Sequence, residues 1–190
     1  MRLSFEETLV SHAAPVLAGI KPAALLSFSR KAYPQLPAIA RAYSRRFQTE
    51  GLVLETVCRC SQHFLLLVYR PLLLKQRLEE KEVRSCLNRF GYPQDSLPRI
   101  LHHLRQRLRE TNGFPHEIGL FLGYPPRDVL AFLGEIPAPC LLCGYWKVYF
   151  DVEEARRLFA QYDHCRETYC RAYEEGHTVS QLLNLPLFAA

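Results

Sequence analysis

The stretch from Phe114 to Asp151 concentrates the residue types that could do chemistry. It contains an adjacent His116 and Glu117 and the only tryptophan of the chain, Trp146. A histidine titrates near neutrality and a carboxylate accepts protons, so the pair is a candidate acid and base, with Cys143 as candidate nucleophile. The stretch lacks the second histidine of an HExxH motif, and no GxSxG turn occurs. The alternative is that the pair caps a buried helix and ties it to the strand of the tryptophan.

The cysteines form a second candidate site, for zinc or iron or for redox chemistry. Cys140 and Cys143 have the two-residue gap that lets both sulfur atoms converge on one point. Cys165 and Cys170 would complete a four-thiolate metal site, but in a continuous helix they are rotated by roughly 140°. That site therefore requires the helix to break near His164, or His164 or Cys165 alone to join the first pair. The alternative is that the thiols only pack.

Aromatic and basic residues indicate a third possibility, a binding module that needs no nucleophile. Such a cleft would take a flat or anionic ligand, such as a flavin, a haem-like ring or a peptide, through stacking and one or two charges. No nucleotide-binding motif accompanies it, and an aromatic strand is more often part of a core. The candidate ligand-binding residues are Lys21, His116, Glu117, Tyr124, Tyr145, Trp146 and Lys147.

The elements that must position these residues indicate an α+β fold. Residues 52–59 alternate in character and residues 63–70 contain a continuous apolar run, which predicts a hairpin whose second strand is central and covered on both faces. We expect a small, mainly antiparallel sheet that includes this hairpin, with further strands near Leu25 and Val148 and several covering helices.

Helix signals place the candidate residues at element ends. Proline and glycine positions predict two short buried helices, at about residues 116–122 and 126–134, and the 3.6-residue period predicts a long helix over residues 152–176. A short helix over residues 5–10 is expected to precede a turn through Pro15.

Composition limits the class of protein. Of the 190 residues, 48% are hydrophobic and 12% aromatic, which excludes a disordered chain and suits a single domain over residues 1–190. The net charge of +5 is spread along the chain, so nucleic-acid binding is not expected. No basic and then apolar leader and no apolar run of ~18 residues occur, so we expect a cytoplasmic protein without a membrane span. Seven cysteines in such a chain indicate reduced thiols.

Four segments also carry a family resemblance, over almost the whole chain: LAGIK at residues 17–21, FPHEIGLFLGYP at 114–125, GYWKVY at 144–149, and the closing helix with its paired cysteines. On these segments the sequence resembles the bacterial domain of unknown function 3793 family. The resemblance implies a small cytosolic protein of anaerobic bacteria, encoded near flavodoxins or iron-handling genes, and hence a flavodoxin-like or iron-handling partner. It implies no established activity.

One departure from the family matters. The family often has a cysteine just before the small-residue turn, where this chain has Ala13. If that thiol were a nucleophile this member would be inactive, and if it only packs nothing changes.

Together these observations favour an accessory ligand-binding or redox-linked protein. Its site is expected where the His-Glu pair, the paired cysteines and the aromatic strand meet. The alternatives are a cysteine-dependent hydrolase or transferase and a purely structural or interaction protein, so whether the chain is an enzyme stays open.

Overall fold

The structure is a computed structural model that describes residues 3–59, 62–109 and 114–185. Within these ranges the chain forms nine helices and two antiparallel sheets. In chain order the elements are α1 (Phe5–Leu17), β1 (Ala23–Ser29), α2 (Leu36–Arg46), β2 (Val53–Arg59), β3 (His63–Tyr69), α3 (Pro71–Glu79), α4 (Lys81–Arg89), α5 (Leu97–Arg107), α6 (Ile118–Phe121), α7 (Pro126–Phe132), β4 (Leu142–Cys143), β5 (Lys147–Val148), α8 (Val152–Glu174) and α9 (Val179–Leu183).

The larger sheet has the strand order β1-β3-β2, and both pairs are antiparallel. Leu67 of β3 lies opposite Leu25 of β1, and Val68 lies opposite Leu54 of β2. The register of β2 shifts at a bulge between Thr56 and Cys58. The predicted α+β class, the hairpin and its central second strand are therefore confirmed.

The apolar run of β3 is buried on both faces of this sheet. Because side chains alternate along a strand, Leu66 and Val68 join a core with α1, α2, α8 and α9, while Leu67 and Tyr69 join a second core with α3 to α7. The sheet is thus a middle layer between two helical layers. None of the helices in the described ranges combines the length and the apolar character that crossing a bilayer requires.

Helix α1 is longer than the sequence pattern predicts. Ser4 and Glu7 form a capping box at its start, and the helix continues through Pro15 to Leu17 instead of turning there. The last turn is stabilised from outside, since the Arg70 guanidinium donates to the carbonyl oxygens of Val16 and Leu17. Tertiary packing of an almost fully buried helix end outweighs the loss of one proline N–H.

The aromatic segment around Trp146 differs from its prediction. Only Lys147–Val148 is a strand, and it pairs with Leu142–Cys143 in a separate two-stranded ribbon, not with the larger sheet. The expectation that a strand near Val148 joins the central sheet is wrong, because the turn of the paired cysteines folds the chain back on itself. The ribbon packs on α8, and Trp146 and Val148 share a third buried cluster with residues of that helix. Helix α8 itself runs unbroken from Val152 to Glu174, close to its predicted span.

Candidate functional site

The segment that carries the site folds as two short helices joined by a tight turn. Gly123 has a φ of +83°, and a Cβ there would lie 3.1 Å from Cδ of Pro22, so both the backbone angle and the space favour glycine. The Arg77 guanidinium donates 2.7 Å to the carbonyl oxygen of Tyr124 and holds the turn against α3. As a result His116 precedes α6 at the surface, and Asp128 enters the buried first turn of α7.

A cavity of about 300 Å³ lies beside these two helices. We name it the aromatic cavity. Ile118 and Val129 contribute apolar walls. Its aromatic and titratable lining consists of Phe114, His116, Tyr124, Asp128, Phe132, Trp146 and Lys147. The structure thus places four of the predicted ligand-binding residues together, namely His116, Tyr124, Trp146 and Lys147.

Asp128 positions Trp146 within this cavity. Its carboxylate is buried and accepts 2.8 Å from the indole Nε1 of Trp146 and 2.9 Å from the backbone N–H of Tyr149. The indole stacks on the Tyr124 ring, with 5.2 Å between centroids, and meets Phe159 of α8 edge-on at 4.6 Å. Two ring contacts and the hydrogen bond to the buried Asp128 side chain therefore fix the orientation of the indole.

His116 lies at the exposed rim of the aromatic cavity. Its ring contacts Phe114 and Phe132, at centroid distances of 5.4 and 4.9 Å. Both phenylalanines are large hydrophobic residues that remain exposed, at 44% and 42% of their surface. The Lys147 ammonium lies 5.4 Å from the Phe132 centroid, so one cation stands at this rim.

Glu117 points away from its neighbour into the protein interior. Glu117 is only 2% exposed. Its Oε1 accepts hydrogen bonds from Nε of Arg107 at 3.0 Å and from the hydroxyl of Tyr92 at 3.1 Å. Burial, and then the Glu117 charge, raise the pKa of Tyr92 above its ordinary value, which keeps that hydroxyl a donor. The structure therefore does not bring His116 and Glu117 together as an acid and base, and Glu117 ties α6 to α5.

Lys21 and Tyr145 belong to a second, neighbouring cavity of about 350 Å³, which we name the Lys21 cavity. Tyr124 contributes to both cavities and stands between them. The Lys21 side chain is buried, and burial lowers its pKa to about 8. Apart from Glu117, the predicted ligand-binding residues thus divide between two cavities, whereas the sequence analysis predicts one cleft.

The paired cysteines lie outside both cavities, at the exposed surface of the ribbon. The Sγ atoms of Cys140 and Cys143 are 3.7 Å apart. Reduced hydration, and then the hydrogen bond and charge of Cys143, raise the pKa of the Cys140 thiol. The hydrogen-bond partners of Cys140 are that sulfur and the Leu142 carbonyl oxygen, and neither is a histidine or carboxylate that would activate a nucleophile.

The other two predicted metal ligands lie in the protein interior. Cys165 is completely buried in the first core, where burial raises its pKa to about 12, and Cys170 is half-buried. Helix α8 does not break near His164, as a four-thiolate site would require. Across the described residues, no group of three or more His, Cys, Asp or Glu side chains is arranged to hold a metal ion. The four-cysteine site is therefore not assembled there.

Comparison with protein families identifies the family of the chain. The model of the family described as protein of unknown function (DUF3793) matches residues 9–183 of the chain. The chain belongs to the DUF3793 family. This confirms the resemblance found in the sequence. Neither a curated protein nor a solved structure matches this DUF3793 member.

Among the aromatic and titratable residues of the aromatic cavity in this DUF3793 protein, sequence reasoning missed three, namely Phe114, Asp128 and Phe132. An acidic residue in the first turn of a helix usually interacts with the helix dipole, so the position of Asp128 in the sequence does not indicate a site residue. Its burial comes from packing against the segment of Trp146 and Tyr149, which are distant in the sequence. The two phenylalanines carried no signal, because exposure of a phenylalanine is a tertiary property.

Proposed function

We propose that this DUF3793 protein is a ligand-binding protein that takes a flat, mainly apolar ring with an anionic group in the aromatic cavity. The observation that carries the proposal is the cavity of about 300 Å³ with four aromatic rings and one cation at its rim. That volume is at the lower end of small-molecule sites, which are mostly apolar with a few placed polar groups. Rings provide stacking surface, and Lys147 provides the charge for the anionic group.

The exposed rim also supports binding rather than packing. Phe114 and Phe132 contribute little to the core, yet they flank His116 at the opening. Exposed apolar groups that cluster beside a cavity are typical of interaction sites. A ligand that covers both rings would remove their apolar surface from water, which stabilises the complex.

Trp146 makes the proposal directly testable, because it is the only tryptophan and lines the cavity. Titration with 8-anilinonaphthalene-1-sulfonate, a flat aromatic anion, should give saturable binding with energy transfer from Trp146. The uncharged analogue N-phenyl-1-naphthylamine should bind the same cavity. Lys147→Gln should weaken the anionic probe by roughly threefold, as for a partly exposed ion pair, and leave the neutral probe unchanged.

Two matched variants complete the design. Phe132→Ala should weaken both probes, because it removes ring contact rather than charge. Lys31→Gln, at an exposed turn after β1, should change neither. Binding without saturation, or binding that Phe132→Ala and Lys147→Gln leave unaltered, would show that the probes do not occupy the aromatic cavity and would end the proposal.

A second candidate function, reversible thiol oxidation, is favoured by one observation. Cys140 and Cys143 are exposed, and their sulfur atoms lie 3.7 Å apart, close enough for a disulfide to form with a small movement. The reaction would take two protons and two electrons from the pair and pass them to an external disulfide, which yields two thiols. Such a pair would stay reduced in a cytoplasmic compartment and respond to oxidation.

Glutathione disulfide tests this candidate. After treatment, the number of free thiols should fall by two from the seven cysteines, and the intact mass should fall by that of two hydrogen atoms. Cys143→Ser should instead retain one glutathione on Cys140, whereas Cys170→Ser should behave as the wild type. A mixed disulfide in the wild type, without closure between the two cysteines, would rule the candidate out.

A further inference from the structure

Lys21 is a buried cation with an unusual set of neighbours. Its side chain is 6% exposed, and its Nζ lies 5.2, 5.9 and 5.6 Å from the ring centroids of Tyr124, Tyr145 and Tyr162. Lysine is almost never fully buried unless it is paired. Among the described residues, the Lys21 ammonium forms no ion pair and no hydrogen bond, and burial alone lowers its pKa. The three rings face the ammonium with π-electrons, which attract the charge but accept few of its hydrogen bonds.

Main-chain hydrogen bonds place Lys21 just after the end of α1. The N–H groups of Ile20 and Lys21 both donate to the Pro15 carbonyl oxygen, at 2.9 and 3.0 Å. Arg70 binds the carbonyl oxygens of Val16 and Leu17 just before this turn. The main-chain position of Lys21 is therefore fixed at the end of α1.

The Lys21 side chain also lines the Lys21 cavity, which provides space for a hydrogen-bond acceptor of its ammonium. Lys21 lines it together with Arg166 of α8, His12 of α1 and the hydroxyl residues Thr8 and Ser11. The acidic group near this cavity, Asp163, already accepts 3.0 Å from the Tyr145 hydroxyl and pairs with Arg166 at 3.2 Å. One buried ammonium and one guanidinium thus border a space of about 350 Å³, while the Thr8 and Ser11 hydroxyls already donate to the main-chain carbonyl oxygens of Ser4 and Glu7.

We propose that the Lys21 cavity binds a small oxyanion, a phosphate or a carboxylate group, between Lys21 and Arg166. The anion neutralises an ammonium that burial has deprived of water, and it accepts hydrogen bonds that the tyrosine rings cannot accept. Burial lowers the Lys21 pKa to about 8, and this supports the proposal because no opposite charge compensates the ammonium. The site is distinct from the aromatic cavity and does not depend on the ligand proposed there.

Chemical-shift titration of backbone amides tests the proposal and tolerates weak binding. The probes are sulfate, which is tetrahedral like phosphate, and acetate, a carboxylate, each at constant ionic strength against chloride. Saturable shifts are expected at residues 8–12 and 24–27 for the preferred anion. The probe that binds more tightly shows whether the natural ligand carries a phosphate or a carboxylate group. Lys21→Met should weaken binding by at least about tenfold, as for a lost charged hydrogen bond, and Arg166→Gln by roughly threefold.

The pH dependence of sulfate binding provides a readout that a structural lysine would not give. Sulfate keeps its charge between pH 7 and 9.5, so its affinity should fall by about tenfold over this range as Lys21 loses its proton. The other groups that face Lys21 are Tyr124, Tyr145 and Tyr162, while His12 and Arg166 share its cavity. The same pH series with Lys21→Met separates the titration of Lys21 from that of all these groups.

Two results would overturn the proposal. One is the absence of saturable shifts with either probe, and the other is equal binding by wild type and Lys21→Met. Lys31→Met, at an exposed turn, is the matched control and should bind as the wild type does. If Lys21→Met does not fold, Arg166→Gln and the wild-type pH profile still decide the question, since the Arg166 side chain is 48% exposed. If 8-anilinonaphthalene-1-sulfonate still binds but neither oxyanion does, the proposal for the Lys21 cavity is refuted and the proposal for the aromatic cavity is not.

Discussion

Burial of the Lys21 ammonium couples its charge to the stability of the fold. Its pKa falls from 10.5 to about 8 in the folded chain, which corresponds to a penalty of about 3 kcal/mol at neutral pH. Below pH 8 the group is charged in both states, and folding carries the whole penalty. Between pH 8 and 10.5 the folded chain binds fewer protons than the unfolded chain, so this contribution to stability improves as pH rises.

Replacement of Lys21 by methionine should therefore stabilise the protein. At pH 7 we expect Lys21→Met to raise the free energy of unfolding by roughly 1–3 kcal/mol, because loss of the cation–π contacts offsets part of the gain. The difference should shrink between pH 7 and 9.5, since the wild type loses its penalty there. Urea unfolding followed by Trp146 fluorescence measures both effects. Lys31→Met should stay within about 0.5 kcal/mol of wild type. A constant loss of stability across this pH range would contradict the assignment.

At the scale of elements, two contacts fix the ribbon of β4 and β5 against its neighbours. Asp128 ties α7 to the ribbon through Trp146 Nε1 and the Tyr149 N–H. Gly144 allows the Phe159 ring of α8 to lie against the main chain, since a Cβ at this position would come within 2.2 Å of the ring. The aromatic cavity exists because these elements hold Trp146 between them.

Loss of the Asp128 carboxylate should loosen this arrangement. Asp128→Ala leaves one buried and one partly buried donor without their acceptor, which costs about 2–4 kcal/mol of stability. We expect red-shifted Trp146 emission as the indole gains contact with water, together with weaker probe binding in the aromatic cavity. Glu153→Ala, on the exposed first turn of α8, is a matched carboxylate control and should alter neither property. Unchanged emission in Asp128→Ala would show that packing alone positions the indole.

A methyl group at Gly144 should have a different effect. Gly144→Ala forces the Phe159 ring or the ribbon to move, and overpacking of this kind costs about 1–3 kcal/mol. A lower Tm is expected together with changed Trp146 fluorescence, because Phe159 contacts the indole edge-on. The double variant Gly144→Ala with Phe159→Leu should recover part of the lost Tm, since it removes the ring that clashes. If the double variant does not recover any of the lost Tm, the Phe159 ring is not the cause of the destabilisation.

At the scale of the whole molecule, the central sheet and α8 connect the buried clusters. Strand β3 contributes Leu66 to the first core and Leu67 to the second. Helix α8 contributes Tyr169 to the first core and Tyr162 to the third cluster. The three clusters are therefore linked through shared elements.

We therefore expect the chain to unfold as one cooperative unit. Trp146 fluorescence reports the third cluster, whereas far-ultraviolet circular dichroism reports all helices. Their urea transitions should coincide, with the same midpoint and slope. An earlier fluorescence transition would mean that the ribbon separates before the sheet unfolds, and would contradict a single domain.

Much of the fold followed from patterns that are local in the chain. The run from Phe64 to Tyr69 identified a central strand because only such a strand is apolar on both faces, and a sustained 3.6-residue period identified α8 almost to its ends. The segment from Phe114 to Pro125 identified the family. These features depend on neighbours within a few residues, so they can be read without coordinates.

The composition of the site was decided by packing between distant elements. Adjacent residues on a helical turn point about 100° apart, so His116 reached a rim while Glu117 reached Arg107 in the interior. Lys21 entered a cavity of its own, separate from Lys147, because α8 and the ribbon close around the end of α1. The sequence by itself determined the elements, the family and the residue types available for a site. Only the tertiary structure decided which of them share a cavity, since that depends on contacts between residues far apart in the chain.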